Sequence, residues 1–242
     1  MAQYYTDFSE YADTAALEAN WTERWHTSST FFTLETDLTE IGGKVLEWDK
    51  TPVSNTRSVL SWNALDSDPD RAVVEVLARV KTTGTGPGQI GALVRGSGTD
   101  TSETGMVGQL NVESSEARIA RYDDAIFTLS GVGGTSSTNE WYWLKFLGSG
   151  TVSFKLKIWQ GDPVLDEPAS WAIETTAENV TGAGWVGLMA FEQSMNYCSV
   201  FSVGTGGDAA PTSAVATTPT LSLPFASNIT ASSAVPNVTV TF

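Results

Sequence analysis

Val74, Val76, Ala78 and Val80 alternate with Glu75, Arg79 and Lys81. A two-residue period puts apolar side chains on one face of a pleated strand and polar ones on the other. The same period returns at Val152, Phe154, Leu156 and Ile158, set against Ser153, Lys155, Lys157 and Trp159, and again at Ile90, Ala92 and Val94. Arg118, Ala120 and Tyr122 against Ala117, Ile119 and Arg121 repeat it less cleanly. Trp141 to Leu147 and Trp185 to Phe191 are apolar on both faces, as suits central strands, and on that reading Trp141, Trp143 and Trp185 fill the core. Tyr197 to Val203 ends the series. The 3.6-residue period of a helix is not sustained anywhere, and one short turn, Ala15 to Ala19 capped by Asp13-Thr14, is the only helical signal.

Turn chemistry separates the strands. Gly84-Thr85-Gly86-Pro87-Gly88, Gly131 to Thr138, Gly148-Ser149-Gly150 and Thr181-Gly182-Ala183-Gly184 interrupt the alternation. Ten or more strands at this spacing, with no helices between them, predict an all-β fold, an antiparallel sandwich or barrel.

The 242 residues suffice for a large core without disulfides or metals. Cys198 is alone, so no intramolecular disulfide can form. The charge balance, 13 basic against 28 acidic residues, gives a net charge of -15. Such a chain is a poor partner for phosphate backbones, so no nucleic acid is expected. No basic run suits an anionic membrane, and no apolar run approaches the roughly 20 residues of a membrane span. Met1 to Tyr11 shows no basic stretch followed by an apolar one, which reads as no secretory leader. His26 is the one histidine. That excludes multi-histidine metal sites and makes any Ser-His-Asp triad depend on it, with no G-x-S-x-G elbow to supply the serine.

Composition divides the chain. Residues 1–207 carry the strands, 208–220 are rich in Ala, Pro, Ser and Thr and read as a linker, and 221–242 hold two further strand-like stretches. In the last of these, Val238, Val240 and Phe242 fall on one face. Two strands are too few for an independent domain. Either this tail begins a module that continues elsewhere, or it docks on a partner's sheet through Val238, Val240 and Phe242.

An ordered set of elements runs through residues 1–207: Asp7-Phe8-Ser9 with Trp21-Thr22-Glu23-Arg24-Trp25, Gly91 to Gly98, Trp141 to Phe146 followed by Lys157-Ile158-Trp159, Gly184-Trp185-Val186-Gly187, and Phe201-Ser202-Val203-Gly204. Together they resemble the concanavalin A-like (laminin-G-like) jelly rolls of tailed-bacteriophage structural proteins. The tail from Ser222 resembles the opening strands of an immunoglobulin- or fibronectin-like module. The resemblance implies a jelly-roll sandwich of two antiparallel sheets, six or seven strands each, with the strands near Phe8 and Phe201 close together. It also implies a non-enzymatic virion protein on the exposed particle surface, as head decoration, spike, or tail or fibre component. That protein would bind other virion proteins through its C-terminal strands, form homo-oligomers and adhere to host glycans.

Glu35, Asp37 and Glu40 match the E-x-D-x-x-E strand of laminarinase-type glycoside hydrolases, which resemble this chain in fold. By that resemblance Glu35 would be nucleophile, Glu40 acid/base, and Asp37 would tune both, since retaining hydrolysis needs two carboxyls about 5 Å apart. Here the motif lies early in the chain and runs into Ile41-Gly42-Gly43, a turn, so the expectation is a solvated strand end and no catalytic residue. Glycoside hydrolysis through this trio and a bacterial lectin module are the alternatives. Asn63, Asp66, Asp68 and Asp70 alternate as calcium ligands can, but without the glycine and distal glutamate of an EF-hand, and a polar turn around Pro69 is the preferred reading. No cofactor is expected, with calcium the cation such a loop would take. Trp48, beside Glu47 and Asp49, and Trp62, beside Asn63, adjoin polar turns, so Trp48, Trp62 and Asn63 are the expected glycan contacts.

Overall fold

The computed structural model describes residues 2–25, 32–49, 57–83, 88–98, 104–123, 126–150, 152–176, 180, 183–191 and 195–214. Fifteen strands, one α-helix and two short 3-10 turns are formed among them. The first part of the chain gives β1 (Gln3–Thr6), α1 (Thr14–Glu18), β2 (Trp21–Trp25), β3 (Phe32–Thr36), β4 (Lys44–Asp49) and β5 (Arg57–Trp62). The middle gives β6 (Val74–Thr83), β7 (Gln89–Ser97), β8 (Thr104–Asn111), β9 (Glu116–Asp123) and β10 (Ile126–Gly133). The last part gives β11 (Tyr142–Ser149), β12 (Ser153–Trp159), β13 (Ile173–Thr176), β14 (Trp185–Phe191) and β15 (Met195–Thr205). The expected helical turn is α1, its first turn closed by the Asp13 carboxylate accepting from the Ala16 N–H.

All strand pairs are antiparallel and fall into two sheets. One runs β13-β12-β11-β6-β15-β4-β3, with β1 also on β15, and the other β10-β9-β8-β7-β14-β5-β2. The fold is therefore an antiparallel sandwich, as expected, with eight and seven strands instead of six or seven each. The additional strand has a physical origin. β15 is eleven residues long, and one edge serves β4 through Met195–Cys198 and β1 through Phe201–Gly204. A bulge at Cys198/Val200 separates the two. The ends of the sandwich meet where Thr6 pairs with Phe201.

The alternation read from the sequence decides which face each side chain takes. Val74, Val76, Ala78 and Val80 point between the sheets with Phe154, Leu156, Ile158, Ile90, Ala92 and Val94. At one end of this core Trp21 and Trp62 stack with ring centres 5.2 Å apart, and the Phe201 ring meets both edge-on. Gly108 leaves room for a ring on the opposite sheet, because a Cβ there would sit 2.6 Å from Phe146. Arg95 adopts a left-handed φ of 56°, and its guanidinium donates to the carbonyls of Val180, Ala72 and Gly150.

Trp48 and Trp62, expected at the surface, are core residues, 0% and 6% exposed. Their polar neighbours have the opposite meaning in a strand. Glu47 faces out, so Trp48 must face in. Trp143 and Trp185 are buried as expected, but against the outward faces of the two sheets. Residues 208–214, the start of the expected linker, run back across the outward face of β6 and β15. Ala210 donates its N–H to Glu75 and packs with Leu77, Trp143 and Val200, while Ser202 donates to the Pro211 carbonyl. The rest of the expected linker, the tail with Val238, Val240 and Phe242, and His26 lie outside the described residues.

Candidate functional site

The outward face of the eight-stranded sheet carries most of the chain's lysines. Register fixes the rows across it. Trp159, Trp143, Arg79 and Val200 are cross-strand neighbours, as are Lys157, Lys145, Leu77 and Ser202. One row further, Lys81 is opposite Tyr197, and Tyr197 opposite Glu47. Trp141 precedes Tyr142, which pairs with Val80, so Trp141 flanks Lys81 on the side away from Tyr197.

Two chain segments cover part of this face. Residues 160–172 fold over β11 and β12, where Trp143 Nε1 donates to the Gly161 carbonyl and Trp159 Nε1 to that of Asp162. The segment 208–214 covers Leu77 and Val200. Beyond them the row of Trp141, Lys81, Tyr197 and Glu47 is half-buried. The Lys81 ammonium lies 4.5 Å from the centre of the Trp141 ring and 4.9 Å from that of Tyr197. The Arg79 guanidinium also lies over Trp141, at 4.7 Å. Each contact sets a cation against the negative face of a ring. Burial pushes the Lys81 ammonium below its ordinary pKa; Asp37 opposes that shift and Arg79 adds to it.

Part of the E-x-D-x-x-E motif reaches this face. Glu40 pairs with Arg79, and its side chain is 7% exposed. The Asp37 carboxylate accepts from the Thr39 hydroxyl at 2.6 Å and the Thr39 N–H at 3.0 Å, which hold it below the usual carboxylate range and close the turn after β3. Glu35 is exposed on β3, opposite Val45. The three carboxylates thus have separate surroundings: solvent, a turn and an ion pair.

The second acidic cluster is likewise spoken for. Asp68 Oδ2 accepts from Thr205 and Tyr4, and Oδ1 from the Asp70 N–H. Asp66 pairs with Arg24 and Arg71. Asn63 accepts from the Thr22 hydroxyl. Among the described residues no three His, Cys, Asp or Glu side chains converge as metal ligands.

Two open clefts lie elsewhere, of about 350 Å³ beside Glu18, Trp21 and Phe32 and about 340 Å³ beside Tyr5, Glu10 and Ala214. The outward face of the seven-stranded sheet carries one buried apolar cluster of Val59, Leu93, Val107, Tyr122, Trp185 and Met189. Trp141, expected in the core, is therefore a tryptophan of the open face, because Tyr142, Leu144 and Phe146 take the inward positions of β11. The signal was in the sequence: Trp141, Trp143 and Lys145 share a parity, and the lysine marks that parity as outward.

No protein-family model matches the chain, and a search of curated proteins finds no match. Solved structures do match. A protein of unknown function from Shewanella oneidensis MR-1 is 15% identical, with a TM-score of 0.56 over 86% of this chain and 89% of that one. A Bacillus subtilis protein of unknown function with a galectin-like fold is 10% identical, with a TM-score of 0.53 over 84% of this chain and 94% of that one. A family 7 alginate lyase in complex with its substrate is 11% identical, with a TM-score of 0.50 over 77% of this chain and 93% of that one. The likeness is one of fold. This sandwich fits the concanavalin A-like, galectin-like jelly roll.

Proposed function

We propose that the chain is a non-enzymatic carbohydrate-binding protein, and that its binding face is the open end of the eight-stranded sheet. The observation that carries this reading is the half-buried Trp141 in a row with Lys81, Tyr197 and Glu47. Sugar rings bind by laying their C–H faces on aromatic side chains while charged and polar groups take the hydroxyls. Trp141 and Tyr197 supply the aromatic surface, and Arg79, Lys81 and Glu47 the polar one. A galectin-like fold agrees with the reading and does not carry it.

Binding without turnover is supported by the state of the carboxylates. Glu40 is engaged by Arg79 and Asp37 by Thr39, which leaves no free acid/base pair around Glu35. A glycan array probed with the parent and with Trp141→Ala tests the proposal. Binding by the parent that falls at least about tenfold in the variant supports it. Undiminished binding by a folded variant refutes this face. Reducing-end release abolished by Glu35→Gln would replace binding with hydrolysis.

The setting proposed with this role is the exposed surface of a tailed-phage particle, on the strength of the sequence resemblance. Val238, Val240 and Phe242 would attach the chain to a virion partner. Gold-labelled antibody on purified particles tests the setting, and unlabelled intact particles count against it.

A further inference from the structure

Among the described residues, cations on the outward face of the eight-stranded sheet are matched by carboxylates, with one exception. Lys145 meets Glu167 at 2.5 Å and Glu75 at 3.7 Å. Lys157 meets Glu167 at 2.9 Å, Lys155 meets Glu174 at 2.6 Å, and Arg79 pairs with Glu40. Among the described residues Lys81 has no carboxylate at ion-pairing distance; the Asp37 carboxylate acts on it from beyond that range, and its contacts are the rings of Trp141 and Tyr197, with the like charge of Arg79 beside them. In a chain of net charge -15, a lysine without an ion-pair partner on a face whose other cations are paired is out of keeping with its surroundings.

Ring faces attract a cation but supply no lone pairs, so the three N–H donors of Lys81 have no acceptor in these contacts. Arg79 also lies over this indole, and the two cations repel each other. An anionic oxygen between them would relieve the repulsion and accept charge-assisted hydrogen bonds. Lysine suits this task, being a point charge on a flexible stem.

We infer that the site selects an acidic saccharide, whose carboxylate or sulfate is taken by Lys81 beside Arg79, with Trp141 and Tyr197 as apolar walls. This rests on the glycan-binding reading above and names the ligand's chemical class. Neutral sugars would use only the walls and the polar rim.

Calorimetric titration of the full chain with three oligosaccharides of one backbone tests the inference: a uronate oligomer, its carboxyl-reduced neutral form and its sulfated form. The parent should bind one of the charged forms at least about tenfold more tightly than the neutral one, the effect of one charge-assisted contact. Whether the uronate or the sulfated form is favoured identifies the anion. Lys81→Gln should abolish the preference, so that the charged and neutral forms bind it alike, and Lys81→Arg should restore it. Equal affinity for all three forms, or an unchanged preference in a folded Lys81→Gln, overturns the inference and leaves glycan binding standing. No binding of any form overturns both.

Discussion

The Thr205 hydroxyl donates to Asp68 Oδ2 over 2.7 Å, joining groups 137 residues apart. The Tyr4 hydroxyl donates to the same oxygen at 3.0 Å, so one carboxylate ties the first strand to the end of the last. Burial alone would raise the Asp68 carboxyl, but hydrogen bonds from Thr205, the Asp70 N–H and Tyr4 outweigh it and hold the group below the usual carboxylate range. A depressed carboxyl stabilises the fold fully above its unfolded pKa of about 4, and that stability is lost as pH falls through the native value.

Asp68→Asn should therefore cost about 1–3 kcal/mol at pH 7, the range for a buried polar group left badly matched. Below the native pKa the parent loses the same contacts, so the gap should narrow. Urea midpoints of both proteins at pH 7 and at acid pH check this. A gap that stays constant with pH would show that Asp68 is not the linked group.

Trp62 and Trp141 should separate stability from binding. Trp62 stacks on Trp21 in the core, so Trp62→Ala should lose about 3–5 kcal/mol. Trp141→Ala should stay within about 1 kcal/mol of the parent in stability while losing ligand. Thermal melts set beside glycan-array signals read both quantities, and the reverse ranking would move the site into the core aromatic cluster.

Gly108 faces Phe146 across the sandwich with no room for a side chain. Gly108→Val should destabilise by about 1–3 kcal/mol through overpacking. Differential scanning calorimetry reads the loss, and a neutral outcome would mean that the two sheets are less tightly packed at this point than the geometry requires.

The all-β sandwich was legible because alternation is local: Val74 to Lys81 already states which residues face inward. Trp48 and Trp62 show the same rule inverted. Polar neighbours suggest exposure beside a turn, whereas in a strand they mark the middle residue as buried. The open face was not legible. It requires Lys81 to meet Tyr197 from β15 and Trp141 from the approach to β11, and Arg79 to meet Glu40 from the turn before β4. Register between strands distant in sequence decides these meetings, and alternation within one strand says nothing about register.

The most direct measurement is a ¹H–¹⁵N spectrum of the tryptophan indoles during titration with the charged oligosaccharide. The chain has nine tryptophans, and Trp141→Phe assigns the signal that matters. The account predicts that the Trp141 indole shifts and saturates with ligand, while those of Trp21, Trp48 and Trp62 stay where they are. Shifts confined to another indole, or none at saturating ligand, would contradict it.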